Sequence, residues 1–290
     1  MSGIHTFLPG HDIFSEYYER GLPQLVWTKC PADLDTPVAA MLRLKSDSSP
    51  CFLLESVEKG EIRGRYSIIG LQPDIIWKCN GDQAAISEGK NIEAGIFVPC
   101  KKPSLDALHE LYEICKIDIP EGMPPMASGL VGYMAYDMVR LVENLPESKP
   151  DALNIPDSMF MRPRVMVIFD AVTDSKYIIT SVWPDAKVNA ETAYTNAKNR
   201  ISDILKKFSD VLPPAEGVSF TAIDASDFKP NTSRAEYDVM VEKAREHITA
   251  GDIFQVVLSQ RFSAPFKLPP FALYRALRQL NPSPFLFYLH

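Results

Sequence analysis

The hydrophobic pattern changes its period within one continuous stretch, residues 233–262. Ser233 and Glu236 form an S-x-x-E capping box, which is typical of a helix start. The apolar residues that follow at helical spacing are Tyr237, Met240, Val241, Ala244 and Ile248. Gly251 can adopt the positive φ that a helix C-terminus requires, and residues 253–262 then point alternately to two sides, as in a β-strand. The stretch predicts a helix, a tight turn and a strand, and hence a mixed α/β protein.

The composition is that of a soluble globular protein and argues against several classes. The 290 residues are 46% hydrophobic and 23% charged. A net charge of −7 without a lysine or arginine cluster argues against a nucleic-acid-binding surface. No apolar run reaches the length of a membrane span, and the N-terminus lacks a signal-peptide pattern. The five cysteines are scattered without C-x-x-C spacing, so free thiols in a reducing cytoplasm are expected.

Further strand and helix patterns alternate along the chain. Strands are predicted at 51–57, 164–170 and 177–183, with the last two paired, and a helix is predicted at 191–208. Residues 211–229 carry prolines and acidic residues without a helical stripe, so the main boundary is placed there. The predicted domains are 1–212 and 230–290, joined by a linker at 213–229. A helix from Pro269 through Leu280 is expected to turn Leu273, Leu277 and Leu280 inward.

Four short strings resemble segments of one enzyme family. They are FLLESVE at 52–58, GLVGYMAYDMVR at 129–140, AGDIFQVVLSQRF at 250–262 and NPSPFLFY at 281–288. In this order they resemble anthranilate synthase component I, of the chorismate-utilising enzymes. Each string alone is moderately specific, whereas four in the family's order form a strong match. Residues 1–212 then resemble the family's N-terminal domain, and 230–290 resemble the start of its chorismate-binding domain.

The resemblance implies a fold and a reaction. The fold is α/β (α+β-like), with large, mostly antiparallel β-sheets packed face to face and helices outside. The reaction converts chorismate and ammonia to anthranilate and pyruvate, the first step of tryptophan biosynthesis, with ammonia supplied by a glutamine amidotransferase subunit, component II. Mg²⁺ neutralises the substrate carboxylate in the family. Its ligands and most chorismate contacts lie downstream of residue 290, so we expect no metal ligand and an incomplete active site in a truncated chain.

Two alternatives remain open. Aminodeoxychorismate synthase component I, of the folate pathway, shares much of the scaffold, although QVVLSQRF rather than QVNL from residue 255 favours the anthranilate enzyme. A non-catalytic tryptophan-binding module is the alternative from another class.

Gln255 is the candidate catalytic residue inside this chain. It matches the position where family members that add water carry a lysine. A lysine buried near the substrate can have a lowered pKa and act as a general base on water. Glutamine does not titrate and can only position a group by hydrogen bonds, and ammonia needs no such base. Gln255 therefore favours an aminating enzyme, with a routine strand glutamine as the alternative.

The resemblance also implies a feedback site for tryptophan. Its residues are Glu55, Ser56, Asn281, Pro284, Phe285 and Leu286. Glu55 and Ser56 would serve the ligand's ammonium and carboxylate groups, Asn281 would hold the loop, and the other three would form a slot for the indole. The alternative is an exposed strand end at residues 55–56 and a helix stop at residues 281–284.

Overall fold

Helices and strands alternate through the computed structural model, which describes residues 5–46, 48–58, 62–146, 151–212, 224–281 and 283–290. The α-helices are α1 (His11–Glu19), α2 (Pro37–Leu44), α3 (Lys90–Glu93), α4 (Ser104–Ile114), α5 (Ala190–Phe208), α6 (Arg234–Ala250) and α7 (Pro270–Leu280). The strands are β1 (Gln24–Pro31), β2 (Phe52–Glu58), β3 (Ile62–Asn80), β4 (Gln83–Glu88), β5 (Val98–Pro99), β6 (Val131–Met134), β7 (Ser158–Asp170), β8 (Ser175–Val182), β9 (Lys229–Pro230), β10 (Phe262–Ser263) and β11 (Phe285–Leu289).

Contacts between residues divide the chain into two compact units. The first unit is Met1–Pro213 together with Tyr274–His290, and the second unit is Pro214–Leu273. The predicted domains 1–212 and 230–290 stay a prediction.

One nine-stranded antiparallel sheet organises the first unit. Its main order is β1-β8-β7-β3-β2-β11, with β4 pairing β3 and β5, and β6 pairing β7. The two longest strands, β3 and β7, pair from Tyr66 and Asp170 to Cys79 and Ser158. Their length lets each pair with different neighbours at its two ends, so many strands join one sheet. The predicted mixed α/β fold with a large antiparallel sheet is confirmed. The described residues form one large sheet, and the other sheet has two strands.

The centre of the sheet is formed by the apolar strands β7 and β8 and is covered by the amphipathic helix α5. Every residue of β8 is buried, as expected where a strand is covered on both faces. Helix α5 packs on β8 with residues three or four positions apart. Its buried residues include Ala193, Ala197, Ile201 and Ile204. Asn189 caps this helix by accepting a 2.8 Å hydrogen bond from the Thr192 amide. The predicted strand pair and helix are confirmed.

A glycine is required where β6 crosses close to β7. A Cβ placed on Gly132 would lie 1.9 Å from the Met159 carbonyl oxygen and 2.7 Å from the Phe160 Cα. Both atoms belong to the backbone, so a side chain there could not be accommodated by a rotamer change. The glycine of the GLVGY string therefore serves close backbone packing.

The second unit contains α6 and the β9–β10 pair. The capping box is present: the Ser233 Oγ accepts from the Glu236 amide at 3.3 Å, and Glu236 Oε2 accepts from the Ser233 amide at 2.8 Å. Gly251 ends the helix in the left-handed conformation, with φ of 83°. No residue of α6 is buried. Within the described part of the chain, no helix is long and apolar enough to span a membrane.

The strand predicted for residues 253–262 is wrong. In the structure only Phe262 and Ser263 are in a strand, paired with Pro230 and Lys229. A strand needs hydrogen bonds from a neighbouring strand, and no strand in the described ranges pairs with residues 253–261. Alternation of side chains is therefore not sufficient here.

Candidate functional site

Two of the four family-like strings meet at one edge of the large sheet. Strand β11 pairs antiparallel with β2, so that Phe285 lies opposite Ser56 and Leu286 lies opposite Glu55. The pairing continues past the strand ends, where the backbones of Cys51 and His290 exchange hydrogen bonds of 3.0 and 2.9 Å. Residues far apart in sequence are thereby brought into contact, as the predicted feedback site requires.

Ser56 lies at a β-bulge. The register between β2 and β3 shifts between Glu55 and Val57, and bulges commonly re-aim a side chain near functional sites. The Ser56 hydroxyl donates a long hydrogen bond of 3.4 Å to the Tyr66 carbonyl oxygen. Gly64 lies directly against it, since a Cβ at Gly64 would be 1.9 Å from the Ser56 Oγ. The hydroxyl is half-buried and only weakly engaged, so it remains able to bind a ligand.

Glu55 is 6% exposed and forms a closely bonded cluster with two residues of α7. Its Oε2 accepts hydrogen bonds from the Tyr274 hydroxyl at 2.5 Å and the Arg278 Nε at 2.7 Å. Its Oε1 accepts from the Arg278 Nη2 at 2.9 Å. Burial, reinforced by the hydrogen bond to Glu55, raises the pKa of Tyr274, and the hydrogen bond to Glu55 raises the pKa of Arg278. A carboxylate offers about four acceptor positions, so most of those on Glu55 are occupied.

The predicted ligand-binding residues fall on two faces of the sheet. Neighbouring residues of a strand point to opposite faces, whereas residues directly opposite each other share one. Glu55 and Leu286 therefore lie on the face that meets α7. Ser56 and Phe285 lie on the other face, where the Phe285 side chain is 79% exposed. Ser56 and Phe285 therefore share one face of the sheet, and Glu55 lies on the other.

The connection between α7 and β11 holds the remaining predicted residues. The Asn281 amide donates a 2.9 Å hydrogen bond to the Leu277 carbonyl oxygen, which closes the last turn of α7. Asn281 and Pro284 are both exposed. Both residues therefore remain accessible in the segment that leads into β11.

Tyr274 and Arg278 were not predicted from the sequence, because the wrong face of α7 was expected to turn inward. Leu273, Leu277 and Leu280 are exposed, so their predicted inward orientation is wrong. Tyr274 and Arg278 are four residues apart and share a helix face. Arg278 supplies the cation that a buried acid such as Glu55 needs. The four-residue spacing of Tyr274 and Arg278 could have indicated from the sequence that these two side chains share one face of α7.

Gln255 belongs to the second unit. Its side chain is exposed, in a segment without regular secondary structure. Its catalytic role stays a prediction. The described residues contain no group of three or more His, Cys, Asp or Glu side chains placed to hold a metal ion, so no reaction step through Mg²⁺ can be derived from them.

Comparison with known families gives the identity of the scaffold. Residues 49–290 match the model of the family described as chorismate binding enzyme. The chain belongs to this family. It is 42% identical over 277 residues to anthranilate synthase component 1 of Cereibacter sphaeroides, which covers 96% of this chain and 55% of that protein. The corresponding protein of Thermus thermophilus is 36% identical over 260 residues, covering 89% of this chain and 51% of that protein.

Solved structures agree with this assignment. The crystal structure of anthranilate synthase component I from Streptococcus pneumoniae matches with a TM-score of 0.60 and 28% identity, over 88% of this chain and 53% of that one. The menaquinone-specific isochorismate synthase of Escherichia coli, at 13% identity and a TM-score of 0.51, shares the fold over 96% of this chain and 51% of its own. This member of the chorismate-binding family spans about half the length of the curated relatives it matches. The resemblance to anthranilate synthase component I is confirmed.

Proposed function

We propose that this chorismate-binding-family chain acts in the anthranilate synthase reaction. Chorismate and ammonia would be converted to anthranilate and pyruvate, as the first step of tryptophan biosynthesis. The observation that carries this proposal is the 42% identity to an anthranilate synthase component 1 over nearly the whole chain.

The proposal includes a partner and a cofactor. The name of the relatives, component 1, supports the proposal of a second component. This second component, a glutamine amidotransferase, would supply the ammonia. When bound, Mg²⁺ would supply positive charge to the substrate carboxylate, as a hard cation with oxygen ligands does. We propose a cytoplasmic location, supported by five cysteines that are scattered along the sequence without C-x-x-C spacing.

We further propose that the β2–β11 edge binds L-tryptophan as a feedback inhibitor. The Ser56 hydroxyl would exchange its long bond to Tyr66 for a charge-assisted hydrogen bond to the ligand carboxylate. The exposed Phe285 ring would gain burial by packing against the indole ring. Pro284 and Asn281 lie in the segment that enters β11 and would close the slot.

Glu55 would transmit this binding rather than contact the ligand. Its bonds to Tyr274 and Arg278 connect β2 to α7. A ligand that shifts β2 against β11 would therefore also shift α7. Inhibition requires that tryptophan binds an inactive arrangement more tightly than the active one.

The reaction is tested on protein expressed from the complete natural reading frame. Chorismate, ammonium and Mg²⁺ are supplied, anthranilate is followed by its fluorescence, and pyruvate is measured in parallel. Anthranilate and pyruvate in equal amounts are expected. An aminated chorismate that retains its enolpyruvyl group would instead identify an aminodeoxychorismate synthase and overturn the proposal.

A further inference from the structure

A cavity of about 620 Å³ lies between the large sheet and helix α5, within the first unit. Its lining includes Asp74, Arg162, Arg164, Trp183, Asn196 and Arg200. Arg162 and Arg164 are two residues apart on β7 and therefore share one face of the strand, and Arg200 comes from α5. The volume is within the range typical of small-molecule sites. None of the residues proposed to bind tryptophan lines this cavity.

Among the residues that the structure describes, Arg162 alone of the three arginines finds a full bidentate partner. Asp74 accepts from the Arg162 Nε at 2.7 Å and from its Nη2 at 3.0 Å. Arg162 also lies 3.7 Å from the centre of the Trp183 ring. The Nε of Arg164 is 3.9 Å from Asp74 Oδ2, which already serves Arg162. The geometry thus holds Arg162 in place and leaves Arg164 with a distant, shared partner.

Arg200 makes no ion pair with any carboxylate in the described ranges. Its Nε donates a 2.9 Å hydrogen bond to the Thr180 Oγ1, a neutral acceptor. Burial, together with the nearby charge of Arg164, lowers the pKa of Arg200 to about 10. Asp74 offsets this effect only in part, and its carboxylate is already bound by Arg162. A partly buried cation without an ion pair is costly unless something supplies a counter-charge.

Two further features of the lining favour an anionic occupant. The Trp183 indole N–H is buried and finds no hydrogen-bond acceptor among the residues described. Asp185, the other acid of the lining, is exposed, and its carboxylate accepts from the Lys187 amide. Three guanidinium groups thus face two carboxylates, and the lining offers more donors than acceptors.

We propose that this cavity binds a small oxyanion, a phosphate or carboxylate group, through Arg164 and Arg200. Guanidinium groups match the planar geometry of both anions. The cavity is larger than the anion itself, so the bound molecule has room for an organic part. Such a site is a second small-molecule site on the chain, separate from the tryptophan site proposed above.

The test measures anion binding by calorimetry and by the thermal unfolding midpoint. The 290-residue chain is titrated with sodium phosphate or sodium malonate, with sodium chloride at matched ionic strength as the control. Saturable binding and a rise in the midpoint with phosphate or malonate, but not with chloride, are expected. A response to phosphate alone would identify a phosphate site, and a response to malonate alone would identify a carboxylate site.

Two variants distinguish this cavity from general charge effects. Arg200→Gln and Arg164→Gln should each weaken binding about tenfold or more, because each removes a charge-assisted hydrogen bond. The matched control, Arg20→Gln, replaces an exposed arginine of the same unit and should bind as wild type. Without anion, Arg200→Gln should be at least as stable as wild type, since it removes an unpaired cation. No saturable response to either anion, or full binding by both Arg164→Gln and Arg200→Gln, would overturn the proposal.

Discussion

Replacing Arg278 with methionine should destabilise the first unit strongly. Methionine keeps most of the length of the side chain but removes the guanidinium that donates two of the three hydrogen bonds to Glu55. Glu55 would then be a buried carboxylate held by the Tyr274 hydroxyl alone. Removing one partner of a buried ion pair costs about 3–5 kcal/mol. Because the Arg278 side chain is 20% exposed, we expect the lower end of this range.

Urea unfolding followed by tryptophan fluorescence measures this loss. The chain's three tryptophans, Trp27, Trp77 and Trp183, all lie in the first unit, so the signal reports the unit that contains the pair. Arg20→Met is the control: Arg20 is exposed and 3.5 Å from Glu16, and its loss should cost less than about 1 kcal/mol. Adding Glu55→Gln to Arg278→Met should recover part of the stability by removing the unpaired charge. Equal stabilities of Arg278→Met and Arg20→Met would refute this reasoning.

Three other substitutions test separate parts of the structure. Gly132→Ala should lower the free energy of unfolding by about 1–3 kcal/mol, because its Cβ would collide with the β7 backbone; a urea midpoint equal to that of wild type would contradict this. The hydrogen bond from Arg65 lowers the pKa of Asp170 in the folded protein. The stability that this pair contributes is therefore present above the usual carboxyl pKa of about 3.9 and is lost as pH falls further. Asp170→Asn should therefore lose less stability than wild type on acidification below about pH 4 in urea unfolding; parallel curves would exclude this contribution, which half-exposed Arg65 keeps small. Gln255→Lys should slow the ammonia-dependent reaction of protein from the complete reading frame, and wild-type rates would show that Gln255 is not catalytic.

Local signals in the sequence predicted much of the secondary structure. The capping box at Ser233, the positive-φ glycine at Gly251 and the apolar stripe of α5 all depend on residues close in sequence. The buried strand pair β7–β8 was equally evident, because a short turn joins two apolar runs. These elements therefore required no knowledge of distant contacts.

Tertiary contacts determine what the sequence did not predict. The alternation over 253–262 was read as a strand, yet a strand depends on a partner that the pattern does not specify. The inward face of α7 carries Arg278, which binds Glu55. These two residues are far apart in the sequence, so their contact could not be read from a local pattern. The three arginines of the anion cavity come from β7 and α5 and meet only in the folded chain.

Tryptophan inhibition of the Ser56→Ala variant tests most directly whether the β2–β11 edge is a feedback site. Protein from the complete reading frame is assayed with chorismate across a tryptophan titration, with Ser202→Ala, an exposed residue of α5, as the control. Loss of one hydrogen bond to a charged group costs about 1.5–3 kcal/mol, so inhibition should weaken about tenfold to a hundredfold, with chorismate kinetics unchanged. An unchanged inhibition curve, or equal loss of activity and inhibition, would contradict the account.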